Sequence, residues 1–195
     1  MDHHPEDLRR SIASPRADQR PAAVLRLLPP GSGAGFLGAL AVPADLYWVT
    51  RRPAPLAGMG YPRGNSWTQL HDAGIRHVVC LTHAEAPYDA SPLAIHHAQL
   101  QDLYTRAEPD DPERERELAI GAARFVADRL DAGEGVVVHC HAGRGRTGTV
   151  IGGALVMLGH DPATVVDWLH RVQRTRGKRG WPEQPWQAEV VLSVR

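Results

Sequence analysis

Gly135-Val136-Val137-Val138-His139-Cys140-His141-Ala142-Gly143-Arg144-Gly145-Arg146-Thr147-Gly148-Thr149 joins a β-branched apolar run to a short glycine-bearing loop and then to a new apolar segment of helical character. The order is strand, loop, helix start. Five residues separate Cys140 from Arg146, and His141, Ala142, Gly143, Arg144 and Gly145 are nearly all small, flexible or basic. Such a loop can turn its backbone N–H groups inward at a helix N-terminus, forming a cup for a tetrahedral oxyanion beneath a nucleophilic Cys140. The helix end and a nearby guanidinium both favour thiolate over thiol. Arg146 offers a planar fork for two oxygens of a phosphoryl group, and the Thr147 hydroxyl can donate to the sulfur. Gly143 and Gly145 permit positive φ and close backbone approach.

Working outward, the continuous apolar run at 135–139 fits the middle of a sheet covered on both faces. After the loop, a helix is expected from about residue 146 to 158, stopped by Gly159. Asp161-Pro162 caps another that runs through Val165, Leu169 and Val172 to Gly177, and a last helix spans about 182–194. Upstream, Asp111-Pro112 reads as a helix cap and first turn, with Leu118, Ala122, Phe125, Val126 and Leu130 on one face and Gly133 at the end. Residues 46–49, 75–82 and 93–100 read as strands, and Ser66 caps a short helix that Gly74 closes. Pro53, Pro55, Gly58, Gly60 and Pro62 mark a winding connection. Strands alternating with helices give an α/β fold with a mainly parallel central sheet flanked by helices.

The chain has 195 residues, 43% of them hydrophobic, which suits one domain with a substantial core. Residues 1–35 are polar and proline-bearing and read as a flexible arm with one short helical piece near 22–28. Residues 36–195 form the domain. Lysine plus arginine equals aspartate plus glutamate, 22 each, so overall charge points to neither nucleic acid nor an anionic membrane as partner. Two distant cysteines, Cys80 and Cys140, make no disulfide framework and suit a reducing compartment. The first residues lack a basic secretory n-region, and the apolar stretch at 35–42 is far short of the about 20 residues a bilayer span needs. A cytoplasmic setting is expected. The abundance of Ala, Arg, Gly and Pro suggests a bacterial, GC-rich source.

His139-Cys140-x-x-Gly143-x-x-Arg146-Thr147 resembles the signature of the cysteine-dependent protein tyrosine phosphatase superfamily, and residues 45–192 follow the layout of its compact, dual-specificity-like branch. The resemblance implies the fold of that superfamily and hydrolysis of phosphomonoesters without metal or other cofactor. Cys140 would form a phosphocysteine that water then hydrolyses. It also implies an aspartic acid that protonates the leaving oxygen. Asp102, in Leu100-Gln101-Asp102-Leu103-Tyr104, is similar to the general-acid loop of bacterial and archaeal relatives. Asp110 is the runner-up by its spacing to Cys140, and Asp111 is better explained as a helix cap. Gln187 resembles the downstream glutamine that positions water in some relatives; an ordinary helix glutamine is an equal reading, and Gln184 competes. Substrates would be phosphoproteins, carrying phosphotyrosine and also phosphoserine or phosphothreonine. Phosphoinositides are the close alternative, because the basic His141 and Arg144 resemble the lipid-directed branch. A module that only binds phosphorylated ligands and a rhodanese-like sulfur carrier are rivals from other classes.

Plainer readings stand beside these. Residues 139 and 141 point away from residue 140 on a strand end, and no spaced cysteine or histidine pair lies near, so no metal is expected. His139 would hydrogen-bond the loop from behind. Trp181-Pro182-Glu183 follows the cysteine rather than preceding it, and reads as a turn into the last helix. Cys80 is a small core residue on a strand beside the catalytic one; a reversible disulfide with Cys140 is the sharper alternative. Arg171, Arg174, Arg176, Lys178 and Arg179 complement a helix C-terminus or form a rim for anions.

Overall fold

A computed structural model of the chain describes residues 26–30, 46–63, 67–85 and 87–195, with backbone alone at Phe36–Leu37 and Leu40–Ala41. The last two, β1 and β2, pair antiparallel. The main sheet has the order β3-β4-β7-β5-β6, from Tyr47–Thr50 (β3), Leu56–Met59 (β4), Gly135–His139 (β7), Ile75–Cys80 (β5) and Ala94–His97 (β6). Its last four strands run parallel, and β3 is an antiparallel edge. The helices are α1 (Trp67–Asp72), α2 (Pro112–Asp131), α3 (Gly145–Met157), α4 (Pro162–Thr175) and α5 (Pro185–Ser193). The α/β fold with a mainly parallel sheet is therefore as expected.

The central strand explains its own sequence. Val136 and Val138 join the larger core with side chains of α2 to α5, whereas Val137 meets Trp67 and Leu70 of α1 on the other face. Both faces are dry, so no position in β7 is left for an exposed polar residue. The caps also form where expected. Asp111 and Asp161 accept from the backbone N–H groups of Arg114 and Thr164, and Pro112 and Pro162 open α2 and α4.

Five expectations are corrected. Residues 56–59 form a buried central strand, not a winding connection. Gly58 is required there because a Cβ would fall 2.3 Å from the Tyr47 ring, so the glycine marks a close approach inside a sheet. Residues 26–28 are extended rather than helical: the Leu28 N–H donates to Val49 O at the β3 edge, and Trp168 Nε1 donates to Leu28 O. The strand expected over 93–100 is confined to Ala94–His97, and the last helix begins at Pro185. On α2 the buried face runs through Ala119, Ala122, Ala123, Val126 and Leu130, and Leu118 is 39% exposed. The Ser66 cap and the helical and flexible readings of residues 1–25 and 31–35 fall outside the described residues.

Candidate active site

The loop after β7 is held from outside on nearly every side. His141 O accepts from Tyr61 N at 2.9 Å. Gly143 O accepts from Gln173 Nε2 at 3.2 Å and Arg176 Nη1 at 3.0 Å, both from the α4 side. Gly145 O accepts from Trp181 Nε1 and Thr149 Oγ1. Gly143 has φ +62, and a Cβ there would lie 2.4 Å from the Met59 backbone, so only glycine fits. With the carbonyls engaged outward, the backbone N–H groups of residues 141–147 have no acceptor among the described residues. A run of backbone N–H groups without acceptors at the start of a helix is an arrangement that can receive an anion. Gly148 lets Trp181 close beneath it, since a Cβ would fall 2.4 Å from the indole nitrogen.

Cys140 directly follows β7 and lies on the face covered by α2 to α5. Arg146 is 8% exposed. Its Nη1 donates to Leu100 O at 3.2 Å, and its Nη2 donates to Asp102 Oδ2 at 2.7 Å. Asp102 is thus brought to the site, with Oδ1 accepting from Tyr104 N and about half of the side chain exposed. Asp110 is not brought there: it binds Arg106 and the Gln101 side chain and is largely exposed. Thr147 Oγ1 is buried and unpartnered, the Cys140 sulfur included.

Glu115 adds a carboxylate that the sequence reading passed over. It accepts from Gln101 N behind the Asp102 loop. Burial pushes its pKa up, opposed by that N–H and by the charges of Arg146 and Arg114.

Gln187 is buried, with Oε1 accepting from the N–H groups of Glu183 and Gln184 at the mouth of α5. Its Nε2 lies against Gly145, 2.6 Å from where a Cβ would stand. Gln184 instead ties α5 to the loop that carries Asp102 by donating to Leu103 O. Trp181-Pro182-Glu183 is more than a turn: Trp181 supports the cup, and Glu183 accepts from Arg144 Nε and Nη2. Arg144, expected at the substrate, is held by this pair.

On the opposite face, His139 is fully buried with Nε2 bonded to the Tyr88 hydroxyl and Nδ1 3.5 Å from Cys140 O. Cys80 pairs in register with His139, so its side chain shares that face and points away from Cys140. The proposed Cys80–Cys140 disulfide has no geometric basis here. Burial pushes the Cys80 thiol up, but hydrogen bonds from His139 and Thr82 outweigh it and bring the pKa down to about 5. Burial likewise pushes the Tyr88 hydroxyl up. His141 is exposed and stacks on Tyr61. Among the described residues no cluster of three or more metal-ligating side chains occurs.

Residues 43–182 match the family model of the Swiss Army Knife protein DSP-PTPase phosphatase domain. The chain belongs to this family. It is accordingly a cysteine-dependent phosphatase domain, built on the fold the signature implied. Solved structures agree in fold. The active form of Tk-PTP is 24% identical, with a TM-score of 0.53 over 71% of this chain and 90% of its own. The phosphatase TpbA of P. aeruginosa, solved in complex with pTyr, is 17% identical with a TM-score of 0.54 over 90% of this chain and 92% of its own. PTPMT1 in complex with PI(5)P is 17% identical with a TM-score of 0.55, covering 71% and 88%. No described helix of this DSP-PTPase domain is long and apolar enough to cross a membrane.

Proposed function

We propose that the chain hydrolyses phosphotyrosine, and phosphoserine or phosphothreonine, in proteins through a phosphocysteine intermediate. The observation that carries this reading is the set of N–H groups at 141–147 without acceptors among the described residues, beside the Arg146 fork and just after the strand that delivers Cys140. The three non-bridging oxygens of a phosphomonoester match these donors. Backbone groups of His141, Ala142, Gly143, Arg144 and Gly145 would line the cup, and the substrate dianion would replace Asp102 on Arg146.

Cys140 Sγ then attacks phosphorus opposite the ester oxygen. The S–P bond forms, the P–O bond breaks, and Asp102 gives its proton to the leaving oxygen. In the second step water attacks phosphorus, Asp102 takes a proton from that water, the S–P bond breaks, and inorganic phosphate leaves while the Cys140 thiolate is regenerated. The buried Thr147 hydroxyl is free to donate to that thiolate, and Gln187 Nε2 is near enough to the cup to orient the water. His139 supports the cup from behind.

TpbA bound to pTyr supports the protein substrate, and PTPMT1 bound to PI(5)P supports the phosphoinositide alternative. Engagement of Arg144 by Glu183 favours the former. A reducing, cytoplasmic, bacterial setting fits the two unpaired thiols and the composition.

Hydrolysis of aryl phosphates tests the reading. Asp102→Ala should slow phenyl phosphate about 100-fold or more while changing p-nitrophenyl phosphate, whose leaving group needs little proton help, by about threefold or less. No turnover in the wild type would favour a binding module, and persulfide formation without turnover a sulfur carrier. The same selectivity in Asp110→Ala would move the acid to Asp110.

A further inference from the structure

We propose that Glu183 sets the substrate class of this site by keeping Arg144 from a second phosphate, an inference that rests on the phosphatase reading above. Arg144 is the cup's cation other than Arg146. Its Nε donates to Glu183 Oε1 at 2.8 Å, its Nη2 donates to the same oxygen, and the two side chains are only 16% and 14% exposed. The other carboxylate oxygen, Oε2, lies against Gly145, 1.8 Å from where a Cβ would stand. Glu183 is therefore wedged between the loop cation and the first residue of α3. Gly145 is the position that makes room for it.

Beside this pair a cavity of about 320 Å³ opens, lined by Tyr104, Arg144, Arg179, Pro182, Glu183 and Gln184. It adjoins the cup through Arg144, and the acid loop through Tyr104, which follows Asp102 by two residues. Arg179 makes no ion pair among the described residues. A substrate with one phosphate directs only its organic part toward this cavity. A second dianion of a polyphosphorylated headgroup placed there would meet the Glu183 carboxylate. With Glu183 neutral, Arg144 and Arg179 would present two cations on the same wall. The substrate class that the pair admits is the ester with a single phosphate, such as phosphotyrosine in a neutral flank.

The test is the ratio of kcat/KM for a soluble inositol bisphosphate to that for a neutral-flanked phosphotyrosine peptide. Glu183→Gln should raise this ratio about tenfold, the range of a charge-assisted hydrogen bond gained by the second phosphate. Adding Arg144→Gln should bring it back to within about threefold of wild type, because the released cation is the cause. A ratio unmoved in Glu183→Gln overturns the inference, and so does a gain that survives in the double variant. Should Glu183→Gln fail to fold, Glu183→Ala is read by the same ratio. Absence of all wild-type turnover counts against the phosphatase reading instead. The ratio is then taken from dissociation constants of the two ligands for the same variants, so the role of Glu183 is still decided.

Discussion

Cys80 ends β5 and Cys140 directly follows the neighbouring parallel strand β7, yet they face opposite sides of the sheet and meet different partners. Cys140 is followed by a loop whose backbone N–H groups at 141–147 have no acceptor among the described residues, and Arg146 reaches from α3 to Leu100 O and Asp102. Cys80 is fully buried among side chains, with the Thr82 hydroxyl 3.5 Å from its sulfur and His139 beside it. Its thiol is held at about 5 by those hydrogen bonds, so ionisation alone does not make a phosphatase nucleophile. What separates the two, on the reading proposed above, is the oxyanion receptor beside Cys140. One strand residue changes everything about the chemistry, because alternation along a strand sends successive side chains to opposite faces.

The largest test of that contrast is a pair of substitutions. Cys140→Ser should lower turnover of p-nitrophenyl phosphate by about 10,000-fold or more, as loss of a nucleophile does. Cys80→Ser should leave it within about threefold. Equal losses would break the comparison.

A second test uses pH. A thiol whose folded pKa lies below its ordinary value near 8.5 contributes stability that is present above that value and is lost as pH falls toward the folded pKa. Denaturant unfolding should therefore show the wild-type advantage over Cys80→Ser largest near pH 9 and shrinking down to about pH 5. A flat difference would mean that His139 and Thr82 do not hold a thiolate.

The smallest effect sharpens the other side. Trp181→Phe removes the indole donor to Gly145 O while Thr149 Oγ1 remains, so the loss should be about 1 kcal/mol, a shift of about 2–4 °C in Tm. A larger loss of turnover than of stability would show that the cup's shape depends on this prop.

The parts of the molecule continuous in sequence were legible in it. The β7 strand, the loop and the start of α3 occupy one stretch, and the caps at Asp111 and Asp161 are local hydrogen bonds. β4 was hidden because Gly58 and the surrounding prolines carry turn chemistry, while the Tyr47 ring that demands the glycine lies on another strand. Asp102 and Asp110 could not be separated by spacing; the guanidinium of Arg146, 44 residues from Asp102, separates them in space. Glu183 was passed over as a turn residue because Arg144, 39 residues away, gives it its role. In each case the missing information was a partner distant along the chain.

Leu28 has a bearing on where this domain can be cut. The family match begins at residue 43, after the segment in which Leu28 N–H takes Val49 O and Leu28 O takes the indole proton of buried Trp168. A fragment trimmed to the matched boundary would bare the outer edge of β3 as a template for a neighbouring molecule's strand. It would also remove the acceptor of the Trp168 indole N–H. A fragment that starts at residue 26 is therefore expected to unfold at a higher temperature than one that starts at residue 43.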